Sequence, residues 1–141
     1  MRKLYIDCCG GLSGDMLVAA LIDLGVKTNK ITEAFDTFTV RSGKELSYKI
    51  SYEDYDGVKA CEFNVICDES EKTLEAATGN AHTRSLEEVH EMLDMFDMSG
   101  YAKTIARRIY NIIAGSEATV YSMNPGDIKL FEDGSLQTIA R

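Results

Sequence analysis

Apolar positions change their spacing several times along this chain, and each change marks an element. KLYID, Lys3 to Asp7, is a short apolar run that predicts a strand ending at Asp7. From Ser13 onward Leu17, Ala20, Leu21 and Leu24 recur at helical spacing, with Ser13 as the N-cap, Asp15 in the first turn and Gly25 as the stop. Val18, Ala19 and Ile22 widen the stripe until little polar surface remains, so this helix is expected to be buried on most sides. TNKITEAFDTF predicts a second, shorter helix with Ile31, Phe35 and Phe38 inward.

The period then becomes two. Leu46, Tyr48, Ile50 and Tyr52 alternate with polar neighbours, as do Cys61, Phe63, Val65 and Cys67 after the turn at Asp56-Gly57. That is a β-hairpin with one wet face, and it puts Cys61 and Cys67 on the core side as packing residues. Glu69 to Arg84 is polar and reads as a mobile loop around a helical turn. SLEEVHEMLDMF opens with a capping box, Ser85 and Glu88, and predicts a helix with Leu86, Val89, Leu93 and Phe96 inward. Ser99 caps a longer helix whose stripe is Ile105, Ile109, Ile112, Ile113 and Val120. Asn124-Pro125-Gly126 breaks the chain, DIKLF suggests a last short strand, and the final residues resemble the start of one more helix.

The order β-α-α-β-β-α-α-(β) predicts one α+β domain over residues 1–141, a small antiparallel or mixed sheet packed by helices, for which a ferredoxin-like arrangement is one solution. Hydrophobic and charged fractions of 45% and 27% fit an ordinary globular protein. The longest apolar run, Met16 to Ile22, is too short to span a bilayer, and the N-terminus lacks the layout of a signal peptide, so the cytoplasm is the expected compartment. A formal charge of −8 argues against generic nucleic-acid binding. Four cysteines in such a chain read as reduced thiols.

The densest chemistry lies in DCCGGLSGDM, Asp7 to Met16. Three readings stay open for it. Glycines and a capping serine suit a tight strand-to-helix reversal. Gly10, Gly11, Ser13 and Gly14 also suit an anion cradle at a helix N-terminus, for a phosphate or small nucleotide-like substrate. Asp7, Cys8, Cys9 and Asp15 group soft and hard ligands for a transition metal, and thiolates favour soft or borderline ions. His82, in the polar segment, is either a solvated loop residue or a further ligand. His90 lies near Glu87 and Asp94, where a solvated acidic helix face is the plainer alternative to chelation. Arg107 and Arg108 read as surface residues lying along their helix.

These residues carry a resemblance. LYIDCCGGLSGDMLVAALIDLGV resembles the opening of the LarC proteins, nickel insertion proteins of nickel-pincer nucleotide cofactor biosynthesis, with Asp7, Gly11, Ser13, Gly14, Asp15 and Met16 on the motif. TRSLEEVHEML, IARRIYNIIAGSEATVYS and IKLFEDGSLQTIA resemble the family's H-R-x-L-x-D-I, F-x-x-L-A-x-A-E-A-x-V-H-G and H-F-H-E-V-G-A-V-D-S-I in the same order. Several of its histidines are replaced. Thr83 stands before Arg84, with His82 next door; Tyr121 takes the place of the histidine in V-H-G; Lys129 and Phe131 take those of H-F-H-E, leaving Glu132 and Gly134; and Gln137 replaces an acid. A protonated Lys129 repels a divalent cation.

The resemblance implies part of a nickel chelatase that loads Ni²⁺ into a pyridinium bisthiocarboxylate mononucleotide. It also implies a C-terminal region or subunit, outside these residues, that handles a cytidine triphosphate nucleotide. The replaced histidines imply an incomplete or diverged member. The alternatives are a catalytically silent interaction or regulatory domain, possible as a homo-oligomer, and a phosphate- or nucleotide-binding module.

Overall fold

The computed structural model describes residues 3–67, 83–130 and 136–140. Two helices come first, α1 (Gly14–Asp23) and α2 (Asn29–Ser42), then the hairpin of β1 (Leu46–Tyr55) and β2 (Val58–Cys67). After them come β3 (Arg84–Ser85), α3 (Leu86–Met95), α4 (Gly100–Tyr121), a 3-10 turn (Pro125–Asp127), β4 (Lys129–Leu130) and α5 (Leu136–Ile139).

The hairpin forms in the register its alternation predicts. Leu46 pairs with Cys67, Tyr48 with Val65, Ile50 with Phe63 and Tyr52 with Cys61. Asp56 and Gly57 both adopt positive φ, +53° and +85°, the backbone of the tight turn that matches strand twist. Gly57 N–H donates to the Asp54 carboxylate at 2.7 Å. Phe63 and Val65 are buried under α1 and α2, and Cys61 and Cys67 pack against the same core as expected. Phe35 and Phe38 of α2 complete it, with Phe38 stacked on Phe96 at a centroid distance of 4.5 Å. Each such ring contributes about 1.5–3 kcal/mol by leaving water.

A second core holds the C-terminal half. Val89 and Leu93 of α3 meet Tyr110 and Ala118 of α4, with Ile128 and Leu130 closing it from below the 3-10 turn. Met98 and Ile139 touch both cores. The caps are those of the sequence: Ser85 Oγ accepts from Glu88 N–H at 3.2 Å while Glu88 Oε2 accepts from Ser85 N–H at 2.6 Å, and Ser99 Oγ accepts from Ala102 N–H at 3.1 Å.

The α+β class holds, with four corrections inside it. Lys3 to Asp7 forms no strand; Leu4 and Tyr5 are 61% and 87% exposed, because β1 and β2 pair only with each other and offer this segment no ladder. The strands of the described residues form two separate antiparallel pairs, β1–β2 and β3–β4, rather than the single sheet of a ferredoxin-like arrangement. α1 buries one side on β2 and leaves Met16 and the following Leu24 exposed, because Leu4 to Ile6 only line an open cleft beside them. In α4 the expected stripe is turned outward: Ile105, Ile109, Ile112 and Val120 are exposed, Ile113 is half-buried, and Tyr110, Ala114 and Ala118 are buried, Tyr110 and Ala118 in the core shared with α3. The loop expected over Glu69 to Arg84, His82 included, lies outside the described residues except for its last two positions.

Candidate metal and anion site

α1 starts where the sequence places it, but its cap is unusual. Ser13 has extended backbone, φ −116° and ψ 166°, and its exposed hydroxyl makes no capping hydrogen bond. The amides of the first turn are therefore not satisfied by that side chain. Before it, Cys8 to Gly11 form a turn in which Gly11 N–H donates to the Cys8 carbonyl at 2.9 Å. Gly11 has φ +90°, a conformation that side chains disfavour, so glycine is required there. Gly10 carries no such backbone demand, and at both glycines a Cβ would meet nothing within 4 Å, so the space there is open to a ligand.

Asp7 and Cys9 are locked together across this turn. Asp7 Oδ1 accepts from Cys9 N–H at 3.0 Å. The Cys9 thiol also bonds this carboxylate, which holds the Asp7 carboxyl below its ordinary range and pushes the Cys9 thiol above its own. Cys8 and Cys9 are exposed, free thiols. The turn thus presents a carboxylate and two sulfurs within three residues, facing solvent. Leu4 to Ile6 fold back toward Met16, Leu21 and Leu24, and with Asp7 and Gly11 they line a cleft of about 300 Å³.

The full ligand set expected from sequence does not assemble. Among the described residues no three His, Cys, Asp or Glu side chains converge to hold a metal, so Asp15 in the first turn of α1 does not complete a cage with Asp7, Cys8 and Cys9. His82 lies outside the described residues. His90 is no chelator either: its Nε2 is sealed from solvent, and Asp94 is taken by Arg107 at 2.6 Å and Lys103 at 3.8 Å. The expected solvated face is thus only partly that, and Arg107 is ion-paired rather than merely lying on the surface.

Sequence order hides a second grouping. Tyr121 and Lys129, two of the replaced positions, line one cavity of about 550 Å³ together with Glu117 and Asp127. β4 brings Lys129 opposite Ser85, two residues after Thr83, and Lys129 Nζ lies 4.0 Å from Glu88 Oε2. Glu117 and Asp127 went unremarked in the sequence because no local pattern links α4 to the 3-10 turn. Gln137 is used structurally, its Nε2 donating to the Val65 carbonyl at 3.4 Å. Phe131, Glu132 and Gly134 lie outside the described residues.

Comparison with known proteins bears on both places. A pyridinium-3,5-bisthiocarboxylic acid mononucleotide nickel insertion protein of Alkaliphilus metalliredigens is 26% identical over 98% of this chain and 34% of its own length. A putative nickel insertion protein of Dictyoglomus thermophilum is 31% identical over 99% of this chain and 33% of its own. The pyridinium-3,5-bisthiocarboxylic acid mononucleotide nickel insertion protein of Geobacillus kaustophilus gives the same figures, 31%, 99% and 33%. The chain spans about a third of the length of these curated relatives. No solved structure matches it, and no helix among the described residues is long and apolar enough to cross a membrane. The family model described as nickel insertion protein matches residues 4–141, from the first residue of the cleft through the turn, both cores and the replaced positions, and the chain belongs to that family.

Proposed function

We propose that this chain takes up Ni²⁺ at the Asp7–Cys9 turn, as part of a system that inserts nickel into a pyridinium-3,5-bisthiocarboxylic acid mononucleotide. The observation that carries the reading is the exposed set of Asp7, Cys8 and Cys9 in a chain that matches the nickel insertion family over residues 4–141. Two thiolates and a carboxylate suit a borderline divalent ion. Nickel is cargo here, so an open turn is the appropriate holder. The three side chains do not converge on one point in the free chain, so they close on the ion as it binds and leave positions for the sulfur atoms of the acceptor, to which the metal moves by ligand exchange. The first turn of α1, with Gly10, Gly11, Ser13 and Gly14, receives the acceptor's phosphate, where backbone amides and the helix dipole favour an anion.

The further two thirds of the relatives' length supplies the rest of the reaction, including any use of a nucleoside triphosphate, as a C-terminal region or partner. The setting is cytoplasmic, where the free thiols stay reduced.

Calorimetric titration of the reduced, tag-free protein with Ni²⁺, beside Co²⁺ and Zn²⁺, tests the reading. One Ni²⁺ per chain with Kd of about 1 μM or tighter is expected, weakened at least about tenfold in Cys8→Ser/Cys9→Ser. Unchanged affinity in that double variant removes the thiols from the account, and absence of nickel binding in the parent protein overturns it.

A further inference from the structure

α1 is apolar on two sides, and only one of them is used for packing. Ala19 is buried, and Val18 and Ile22 pack against the core that Phe63 and Val65 of β2 share. On the other side Met16, Leu17, Ala20, Leu21 and Leu24 follow one another at helical spacing. Leu4 to Ile6 lie beside them without closing over them, which leaves the cleft of about 300 Å³. That volume is at the small end of ligand pockets, with room for one ring rather than a whole nucleotide.

Large apolar side chains stay open around the cleft: Tyr5 is 87% exposed, Leu24 70% and Met16 59%. Scattered single apolar residues on a surface need no explanation, whereas a concave group of them beside a charge marks a binding place. The charge is Asp7, the one ionisable acid or base in the lining apart from the Tyr5 hydroxyl. With no basic side chain there, the field of the cleft favours a cation while its walls favour an apolar body. Tyr5 adds a ring whose face attracts cations, and Met16 a thioether that packs well on aromatic edges.

Position is the second observation. Asp7, bonded to the Cys9 amide, and Gly11, which closes the turn on Cys8, both line the cleft. A molecule seated in it lies next to two exposed thiols.

We propose that this cleft seats the flat, cationic ring of a pyridinium mononucleotide, beside the turn that takes up the metal. The identity of that ring rests on the nickel-insertion reading above. The ring lies between Tyr5 and the face of α1 that runs from Met16 to Leu24, and the groups it carries reach an ion held at Asp7, Cys8 and Cys9. A neutral ring of the same size gains the apolar walls but not the attraction of Asp7 and Tyr5, so the cleft selects for charge as well as shape.

Nicotinamide mononucleotide, a pyridinium mononucleotide with an uncharged carboxamide, probes the cleft without nickel, so failure of this seat and failure of metal capture are read separately. In a nitrogen-15 amide spectrum of the reduced protein, signals of Leu4 to Leu12 and of α1 are expected to shift and to saturate with a Kd of about 1 mM or tighter. The dihydropyridine form of the same mononucleotide keeps the phosphate and loses the ring charge. It is expected to bind at least about threefold more weakly, and ribose 5-phosphate more weakly still. Tyr5→Ala and Leu24→Lys, at exposed positions, are expected to weaken binding of the pyridinium form by about threefold or more, with unchanged circular dichroism. No binding up to about 10 mM overturns the proposal. Equal affinity for the dihydropyridine or for ribose 5-phosphate, shifts confined to other elements, or both variants binding like the parent overturn it equally.

Discussion

The Asp7 carboxylate raises the pKa of the Cys9 thiol beside it. The carboxylate accepts from both the amide and the thiol of Cys9, and the thiol bond is the larger cause of the raised thiol pKa. A raised thiol pKa means less thiolate, and the thiolate is the species that binds metal and reacts with electrophiles. Asp7→Asn removes the cause, so the pKa falls and the thiolate fraction at neutral pH rises. In a Cys8→Ser background, Cys9 is expected to react with iodoacetamide several-fold faster in Asp7→Asn, with its pH profile shifted to lower pH. Identical profiles contradict the hydrogen bond. At the far end of α4, Ser122 holds the left-handed C-cap at φ +54°, where the resembling motif V-H-G has glycine. Left-handed backbone costs a residue with a Cβ about 1–2 kcal/mol. Ser122→Gly is expected to raise stability by about 1 kcal/mol in urea unfolding; a loss of stability there shows that the serine side chain matters more than the backbone.

At the scale of elements, the start of α3 carries a pH signature. The Ser85 amide and hydroxyl hold the Glu88 carboxyl below its ordinary value, with smaller help from Lys129 and Arg84. A depressed folded pKa stabilises the native state above the unfolded value and ceases to do so as pH falls through the folded one. The contribution is therefore complete at neutral pH and lost in acid. Glu88→Gln is expected to lower the melting temperature at pH 7 and to flatten its fall between about pH 5 and pH 3. A parallel fall in both proteins contradicts this.

The capping box, the hairpin register and the inward faces of α2 and α3 were legible in the sequence because each depends on neighbours close in the chain. What failed depended on distant partners. Lys3 to Asp7 has the composition of a strand but no described strand lies beside it. In α4 the isoleucines outrank the alanines in hydrophobicity, yet Ala114 and Ala118 are the buried ones, and Ala118 lies in the core shared with α3. At the site, the turn and the position of Ser13 were readable. The Asp7–Cys9 bond and the meeting of Tyr121 with Lys129 were not, since side-chain geometry and β3–β4 pairing set them.

The described residues form two cores joined through Met98 and Ile139, an exposed Asp7–Cys9 turn ahead of α1, and an apolar face on α4. The chain spans about a third of its relatives' length, and the share of the work proposed for it is metal capture rather than insertion. Sulfur ligation gives that capture a direct optical readout, because thiolate-to-nickel charge transfer absorbs in the near ultraviolet. The decisive measurement is the absorption spectrum of the reduced protein as Ni²⁺ is added. The account predicts a charge-transfer band that saturates at one Ni²⁺ per chain, disappears in Cys8→Ser/Cys9→Ser and survives in Cys61→Ser/Cys67→Ser. A spectrum that nickel leaves unchanged, or a band that persists without Cys8 and Cys9, contradicts it.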